Sequence, residues 1–133
     1  MHPRYPEAQK WSAKVIGAAI EVHREMGPGL FESIYEGCLR REFELQSIPN
    51  EEQRQVPVEY KGWKVTEPLR FDFLVDGCLV VEAKAVESVL PVHKAQLLTY
   101  MKLLDAPLGL LINFHEAALK NGIVRMILKG ADQ

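Results

Sequence analysis

The sequence predicts an α/β (α+β) fold, a mixed central β-sheet flanked by helices. Three observations carry that expectation. Apolar residues recur at helical spacing in three stretches. Short alternating runs follow the second stretch and flank the third. One continuous apolar run, "PLGLLINF" (107–114), has the pattern of a strand covered on both faces.

The first helix is expected over about Pro6–Met26, where Trp11, Val15, Ala19, Val22 and Met26 follow helical spacing. Pro6 is tolerated in its first turn, and Gly27-Pro28 stops it. After the tight break "GPGL", a second helix spans about Phe31–Gln46, with Ile34, Cys38, Leu39 and Phe43 on its apolar side. Strand signals then follow in "QVPVEY" (55–60), "WKV" (63–65), "LRFDFLV" (69–75) and "CLVVEAKA" (78–85). "PVHKAQLLTYMKLLDA" (91–106) is the third helix, with Leu97, Leu98, Met101 and Leu104 facing a core. The strand over 107–114 and a final alternating strand, "NGIVRMIL" (121–128), complete the order α-α-β-β-β-β-α-β-β.

With 133 residues, residues 1–133 are expected to form a single domain. The 47% apolar and 26% charged composition is that of a globular protein, and no run reaches the ~18 apolar residues of a membrane span. The N-terminus lacks a signal-peptide core, and Cys38 and Cys78 sit inside apolar patterns. These features predict a reduced, cytoplasmic protein without a membrane partner. The net charge of −2 argues against binding nucleic acid by bulk electrostatics alone, so such contact needs a local basic patch, a metal ion or a partner.

The chemistry concentrates in "LRFDFLVDGCLVVEAKA" (69–85), where Asp72, Glu82 and Lys84 interrupt two apolar runs. Burying such charges uncompensated costs several kcal/mol, roughly. By strict alternation Phe71, Phe73 and Val75 share one face, and Arg70, Asp72 and Leu74 the other. A two-residue Asp76-Gly77 loop would put Asp72 and Glu82 on opposite faces. A three-residue loop, Val75-Asp76-Gly77, pairs Leu74 with Cys78 and sets Gly77 in a left-handed bulge position. That register makes Asp72 diagonal to Glu82, with Arg70 opposite Glu82 and Lys84 one step along. Converging carboxylates beside an ammonium suit a hard divalent cation with a charged helper. Ordinary salt bridges, Arg70–Glu82 and Asp72–Lys84, are the competing explanation. Glu59-Tyr60-Lys61 repeats the Glu-x-Lys spacing at a turn, without an acidic partner, and is set aside as a decoy.

Two helical stripes add to the set. His93, Gln96 and Tyr100 stand at i, i+3 and i+7 on the third helix, and Glu32 and Tyr35 at i and i+3 on the second. A solvated helix edge explains the first stripe equally well, and a favourable helix-dipole interaction explains Glu32.

Gly29-x-x-Glu32-x-x-Tyr35 resembles the signature of the GxxExxY proteins, small members of the PD-(D/E)xK nuclease-like superfamily. The resemblance extends from the first helix to "LLINF". The superfamily's helix acid, strand Asp and Glu-x-Lys fall on Glu32, Asp72 and Glu82-Ala83-Lys84. Gln96 and Tyr100 are similar to the Gln-x-x-x-Tyr motif of RecB-like branches. Phe71 precedes Asp72 where the motif's name has Pro, a departure common in this loose pattern.

The resemblance implies a restriction-endonuclease-like core and Mg²⁺- or Mn²⁺-dependent phosphodiester hydrolysis. Asp72, Glu82 and the Ala83 carbonyl would hold the ion, and Glu32 a second ion or a water. Lys84 would orient the attacking water or stabilise developing charge. Arg70, His93, Gln96 and Tyr100 would contact substrate. The implied partner is nucleic acid, DNA ahead of RNA, with a homodimer as a further option. The alternative is a catalytically weak nuclease-fold module for binding or assembly, acting with partner proteins.

Overall fold

A computed structural model describes all 133 residues. Two helices come first, α1 (Tyr5–Met26) and α2 (Glu32–Leu45). Strands β1 (Asn50–Tyr60), β2 (Trp63–Val75) and β3 (Leu79–Lys84) follow. Then come α3 (Pro91–Leu104), β4 (Leu108–Asn113), a short 3₁₀ turn (Leu119–Gly122) and β5 (Ile123–Ile127). The five strands lie in sequence order in one sheet, antiparallel except for the parallel pair β3–β4. The crossover between those two strands is α3. This mixed sheet between helices is the expected fold class.

Burial divides the molecule into two layers. Val15, Ala19, Val22, Tyr35, Leu39 and Phe43 of α1 and α2 pack with Phe73, Val81, Leu110 and Ile112 on one face of the sheet. Leu97, Met101 and Leu104 of α3 pack with Val56, Phe71, Leu74, Val80 and Leu111 on the other. β3 and β4 are covered on both faces, which is why they read as nearly unbroken apolar runs. α3 lies so close to β4 that a Cβ at Gly109 would stand 2.6 Å from Met101 Sδ and 3.0 Å from Leu97 Cδ1. The one misplaced apolar position of α1 is Met26, which is exposed at the helix end.

Three sequence expectations need correction. The separate strands at 63–65 and 69–75 are one strand, β2, because β1 starts at Asn50 and pairs along it as far as Tyr60–Trp63. The polar run "NEEQRQ" (50–55) conceals that pairing, since β1 is the edge strand of the sheet and is largely exposed there.

The loop between β2 and β3 does contain three residues, but they are Asp76-Gly77-Cys78. Val75 pairs with Leu79, and both Asp76 (φ 48°) and Gly77 (φ 67°) are left-handed. Two consecutive left-handed residues match a type I′ turn, whose twist suits the flanking strands, in place of the expected type I turn. The Asp76 carboxylate is held there by Arg4 Nη2 at 2.8 Å and Trp11 Nε1 at 2.9 Å.

The third correction concerns faces. Between the pairs Glu51–Leu74 and Gln53–Arg70, β1 contributes one residue and β2 three, so β2 bulges at Phe71-Asp72-Phe73. The bulge breaks alternation: Phe71 joins the α3 layer with Leu74, whereas Phe73 joins the opposite layer. Arg70 faces Gln53 of β1 and is exposed, so it is not the partner of Glu82.

The close approach at β4 yields a stability prediction. Gly109→Ala should cost about 1–3 kcal/mol through overpacking. Gly17→Ala, at an exposed α1 position with nothing within 4 Å of the added Cβ, should gain up to about 1 kcal/mol. Urea denaturation of both variants checks this. Equal effects would mean that α3 does not sit tightly on β4.

Candidate active site

The bulge builds the site. The last β2–β3 rung is Phe73–Val81, and beyond it the strands part. Backbone N–H groups left in such a gap must find acceptors. Here two carboxylates provide them. Asp72 N–H donates to Glu82 Oε1 at 3.3 Å, and Ala83 N–H donates to Asp72 Oδ2 at 2.8 Å. Each strand thus lends its acid to the other strand's backbone. Continuing the β2–β3 register puts Asp72 opposite Glu82, where the sequence reading has the two diagonal.

This arrangement concentrates negative charge where water is scarce. Glu82 is the one acidic residue of the buried set, 5% exposed. Burial, then the neighbouring Asp72 charge, pushes its carboxyl up to about 9, and Lys84 offsets only part of that. Glu36 on α2 is pushed up to about 7, first by burial and then by the neighbouring Asp72 and Glu32, with Arg40 acting in the other direction. The Tyr100 phenol is raised as well, first by burial and then by Glu82 and Asp72. Tyr100 therefore approaches the acids from α3 while Glu36 approaches from α2.

The salt-bridge explanation fails on geometry. The eight ion pairs of the fold involve none of Arg70, Asp72, Glu82 or Lys84. Lys84 ends β3, half-buried, with its backbone carbonyl accepting from Phe114 N–H at 2.8 Å. Its charge favours the ionised form of Glu82 without closing an ion pair.

The remaining expected site residues lie on α2, β2 and α3. Glu32 opens α2, one turn before Glu36. Gln96 and Arg70 are exposed. His93 Nδ1 accepts from Leu90 N–H at 3.0 Å and so takes part in the cap of α3. Gly29 and Tyr35 of the Gly29-x-x-Glu32-x-x-Tyr35 pattern work together on the chain's path. Gly29 is left-handed (φ 98°), and Tyr35 Oη donates to Gly27 O at 2.5 Å while accepting from Leu30 N–H at 3.1 Å. The Tyr35 ring stacks on Phe114 at 4.7 Å. That clamp fixes where α2 begins and hence the height of Glu32 and Glu36 above the sheet.

Two contributors were missed in the sequence. Glu36 lies four residues after Glu32, and this spacing on one helix face was the available signal. Asn113, 1% exposed, accepts from Val86 N–H at 3.0 Å and donates to Val86 O at 2.8 Å. It shapes the loop that leaves Lys84. Its signal was a lone amide inside "LLINF".

The donor set is wholly oxygen and lacks a paired cation, which fits a hard divalent ion. No group of three or more His, Cys, Asp or Glu side chains is arranged as a ligand cluster, so Asp72 and Glu82 would have to hold such an ion as a pair. The largest cavity, about 520 Å³ between α1 and α2, contains none of these residues.

A pH dependence follows. Glu82 is raised from 4.5 to about 9, so the folded protein binds more protons than the unfolded chain across that interval. Stability without metal should then fall as pH rises through it, by at most ~1.4 kcal/mol per pH unit for this group. Glu82→Gln should flatten the slope and exceed the wild type in stability at pH 8. Denaturant melts from pH 5 to about 9 in EDTA measure it, and an unchanged slope would show that Glu82 is not strained.

A family comparison bears on the fold as a whole. The family model described as PD-(D/E)XK nuclease superfamily matches residues 9–126. That span takes in Glu32, Asp72, Glu82, Lys84 and Tyr100. Compared with curated proteins and with solved structures, the chain matches none. The five-stranded mixed sheet with three flanking helices is consistent with a restriction-endonuclease-like fold. On the strength of that match, the chain belongs to the PD-(D/E)XK nuclease superfamily.

Proposed function

We propose that this protein hydrolyses phosphodiester bonds of nucleic acid with a divalent cation, Mg²⁺ or Mn²⁺, as a small nuclease of the GxxExxY type. The observation that carries the reading is the Asp72–Glu82 pair. Two carboxylates are held together at a strand gap, at a cost to Glu82, with no positive partner closing on them.

Asp72 and Glu82, with the Ala83 carbonyl, would hold the cation. Once bound, the ion supplies a more acidic water and charge neutralisation at the phosphate. The chain's own residues do the rest. Lys84, rooted by the Phe114 N–H to Lys84 carbonyl bond, directs its ammonium at the attacking water or at a phosphate oxygen. Glu32 and Glu36 on α2 orient water on the side reached by Asp72. Tyr100 and Gln96 on α3, with Arg70 and His93, contact the sugar–phosphate backbone. DNA is the favoured substrate over RNA.

One observation favours a second reading, a nuclease-fold binding module with little hydrolytic activity of its own. The acids form a pair and not a cluster of three. Cleavage separates the two.

Incubation with Mn²⁺ or Mg²⁺ and single- and double-stranded DNA and RNA should give metal-dependent products. Lys84→Ala should lower the rate roughly 10²–10³-fold. No cleavage of any form would overturn the nuclease reading. Melting at fixed ionic strength supplies an independent readout. About 10 mM Mg²⁺ with an assumed Kd of ~1 mM should stabilise the wild type by about 1.4 kcal/mol, raising Tm by roughly 3–5 °C. Glu82→Gln should lose that response. Equal shifts in both proteins would place the ion elsewhere.

A further inference from the structure

From Gln53 to Tyr60 and from Trp63 to Arg70, β1 and β2 pair only with each other. They leave the main sheet as a two-stranded ribbon whose base alone is packed, through Val56 and Leu69 against the α3 layer. An isolated ribbon of this kind is at best marginally stable in water. Its tip nevertheless carries two large aromatic side chains, Tyr60 (64% exposed) and Trp63 (61% exposed), facing each other as a cross-strand pair.

Alternation along the ribbon gives that pair a direction. Tyr60, Val58 and Val56 share a face with their partners Trp63, Val65 and Glu67. Val56 is buried in the α3 layer and Val58 packs against it, on the side of the sheet where Val80 lies and, by alternation, Glu82. The rings therefore lie on the same side as the candidate active site. Trp63 is nine residues before Asp72 on β2, about 30 Å along an extended strand.

Charge adds the second observation. Lys61 lies in the turn between the two rings, and Lys64 points to the opposite face of the ribbon, across from Glu59. Lys61 Nζ stands 5.3 Å from the Tyr60 ring centroid. Glu59, opposite Lys64, is the single acid among residues 58–66. In a chain of net charge −2, the ribbon tip thus offers two exposed rings with a lysine ammonium beside one of them. Exposed aromatic faces stack on bases that have left a helix, while ammonium groups meet the phosphates between them.

We propose that the tip of the β1–β2 ribbon is a stacking platform for unpaired bases. The substrate would then be nucleic acid with a single-stranded segment, seated about 30 Å from the point of cleavage. The proposal rests on the nuclease reading for its substrate class and names the structure that substrate must contain.

The experiment uses the full chain in EDTA, so that no cleavage intervenes. A fluorescein-labelled oligothymidylate of about twenty nucleotides is titrated with protein, alongside the same strand paired with oligodeoxyadenylate. Anisotropy should show tighter binding of the single strand. Tryptophan emission should be quenched on binding, and Trp63→Phe should remove the quenching, because Trp11 is held against Asp76 at 2.9 Å. Tyr60→Ala and Trp63→Ala should each weaken single-strand binding roughly 10-fold. Both positions are exposed, and circular dichroism of the variants checks that they fold. Preference for the duplex, or unchanged affinity in the double alanine variant, would overturn the proposal. So would a dimer in sedimentation that disappears in that variant, since the rings would then meet a second copy of the chain.

Hydrolysis of bis(4-nitrophenyl) phosphate by the wild type with Mn²⁺ tests the nuclease reading separately, because that probe has no nucleobase. Hydrolysis without single-strand binding removes the platform alone. Quenching and single-strand binding without hydrolysis support the platform on a binding module.

Discussion

The parting of β2 and β3 after Phe73–Val81 is the constraint on which the rest of the structure depends. A continuous ladder would have paired the backbone at Asp72 and Ala83 with itself and turned both acids outward or inward by rote alternation. The bulge removes that pairing and makes the carboxylates complete it. Charge-assisted bonds from backbone N–H groups are among the stronger ones available. The Ala83 N–H to Asp72 bond at 2.8 Å and the longer Asp72 N–H to Glu82 bond at 3.3 Å hold the two acids together across the gap. The geometry is thereby set by main-chain groups, which cannot rotate away, and not by a flexible basic side chain.

The surrounding elements make sense as supports for that gap. Tyr35, buried against Phe114, ties α2 to the Gly27–Leu30 turn, and α2 then carries Glu36 to Asp72. On the far side Asn113 holds Val86 by both its backbone groups, so the chain leaving Lys84 follows one course. Tyr35 and Asn113 do their work without touching the acids. A neutral side chain that pairs a buried backbone group can orient a site at little electrostatic expense, whereas another charge would compete with the ion.

Much of this was legible in the sequence, and the parts that were not have physical reasons. Helical period and the Gly27-Pro28 stop located α1 and α2, because both depend on local interactions. Asp76-Gly77 announced its turn for the same reason, and Glu59-x-Lys61 was rightly discounted, since Lys61 (φ 45°) and Gly62 (φ 89°) form the ribbon's turn. The bulge was hidden because Phe71-Asp72-Phe73 reads as perfect alternation. Only the pairing partner, β1, reveals that two residues of β2 are extra. The start of β1 was hidden because its first residues are polar on both faces. Glu36 could not be chosen over Glu32, since the choice depends on how α2 lies over the sheet, a tertiary fact that spacing does not contain.

The distribution of stability across the molecule follows the same division. Covered on both faces, β3 and β4 make the rigid floor from which Glu82 and Lys84 rise. The ribbon beyond Gln53 and Arg70 has partners on one edge only, so its opening costs far less than global unfolding. Glu82 stands where these two regimes meet, on the rigid strand but facing the splayed one. Without a cation this carboxyl, pushed up to about 9, is protonated at neutral pH, and a bound cation would have to displace that proton. A carboxylate placed further out would be solvated, with weaker attraction for a cation. The bulge leaves the acids buried enough for the field to be strong and close enough to the parted strands to be reached.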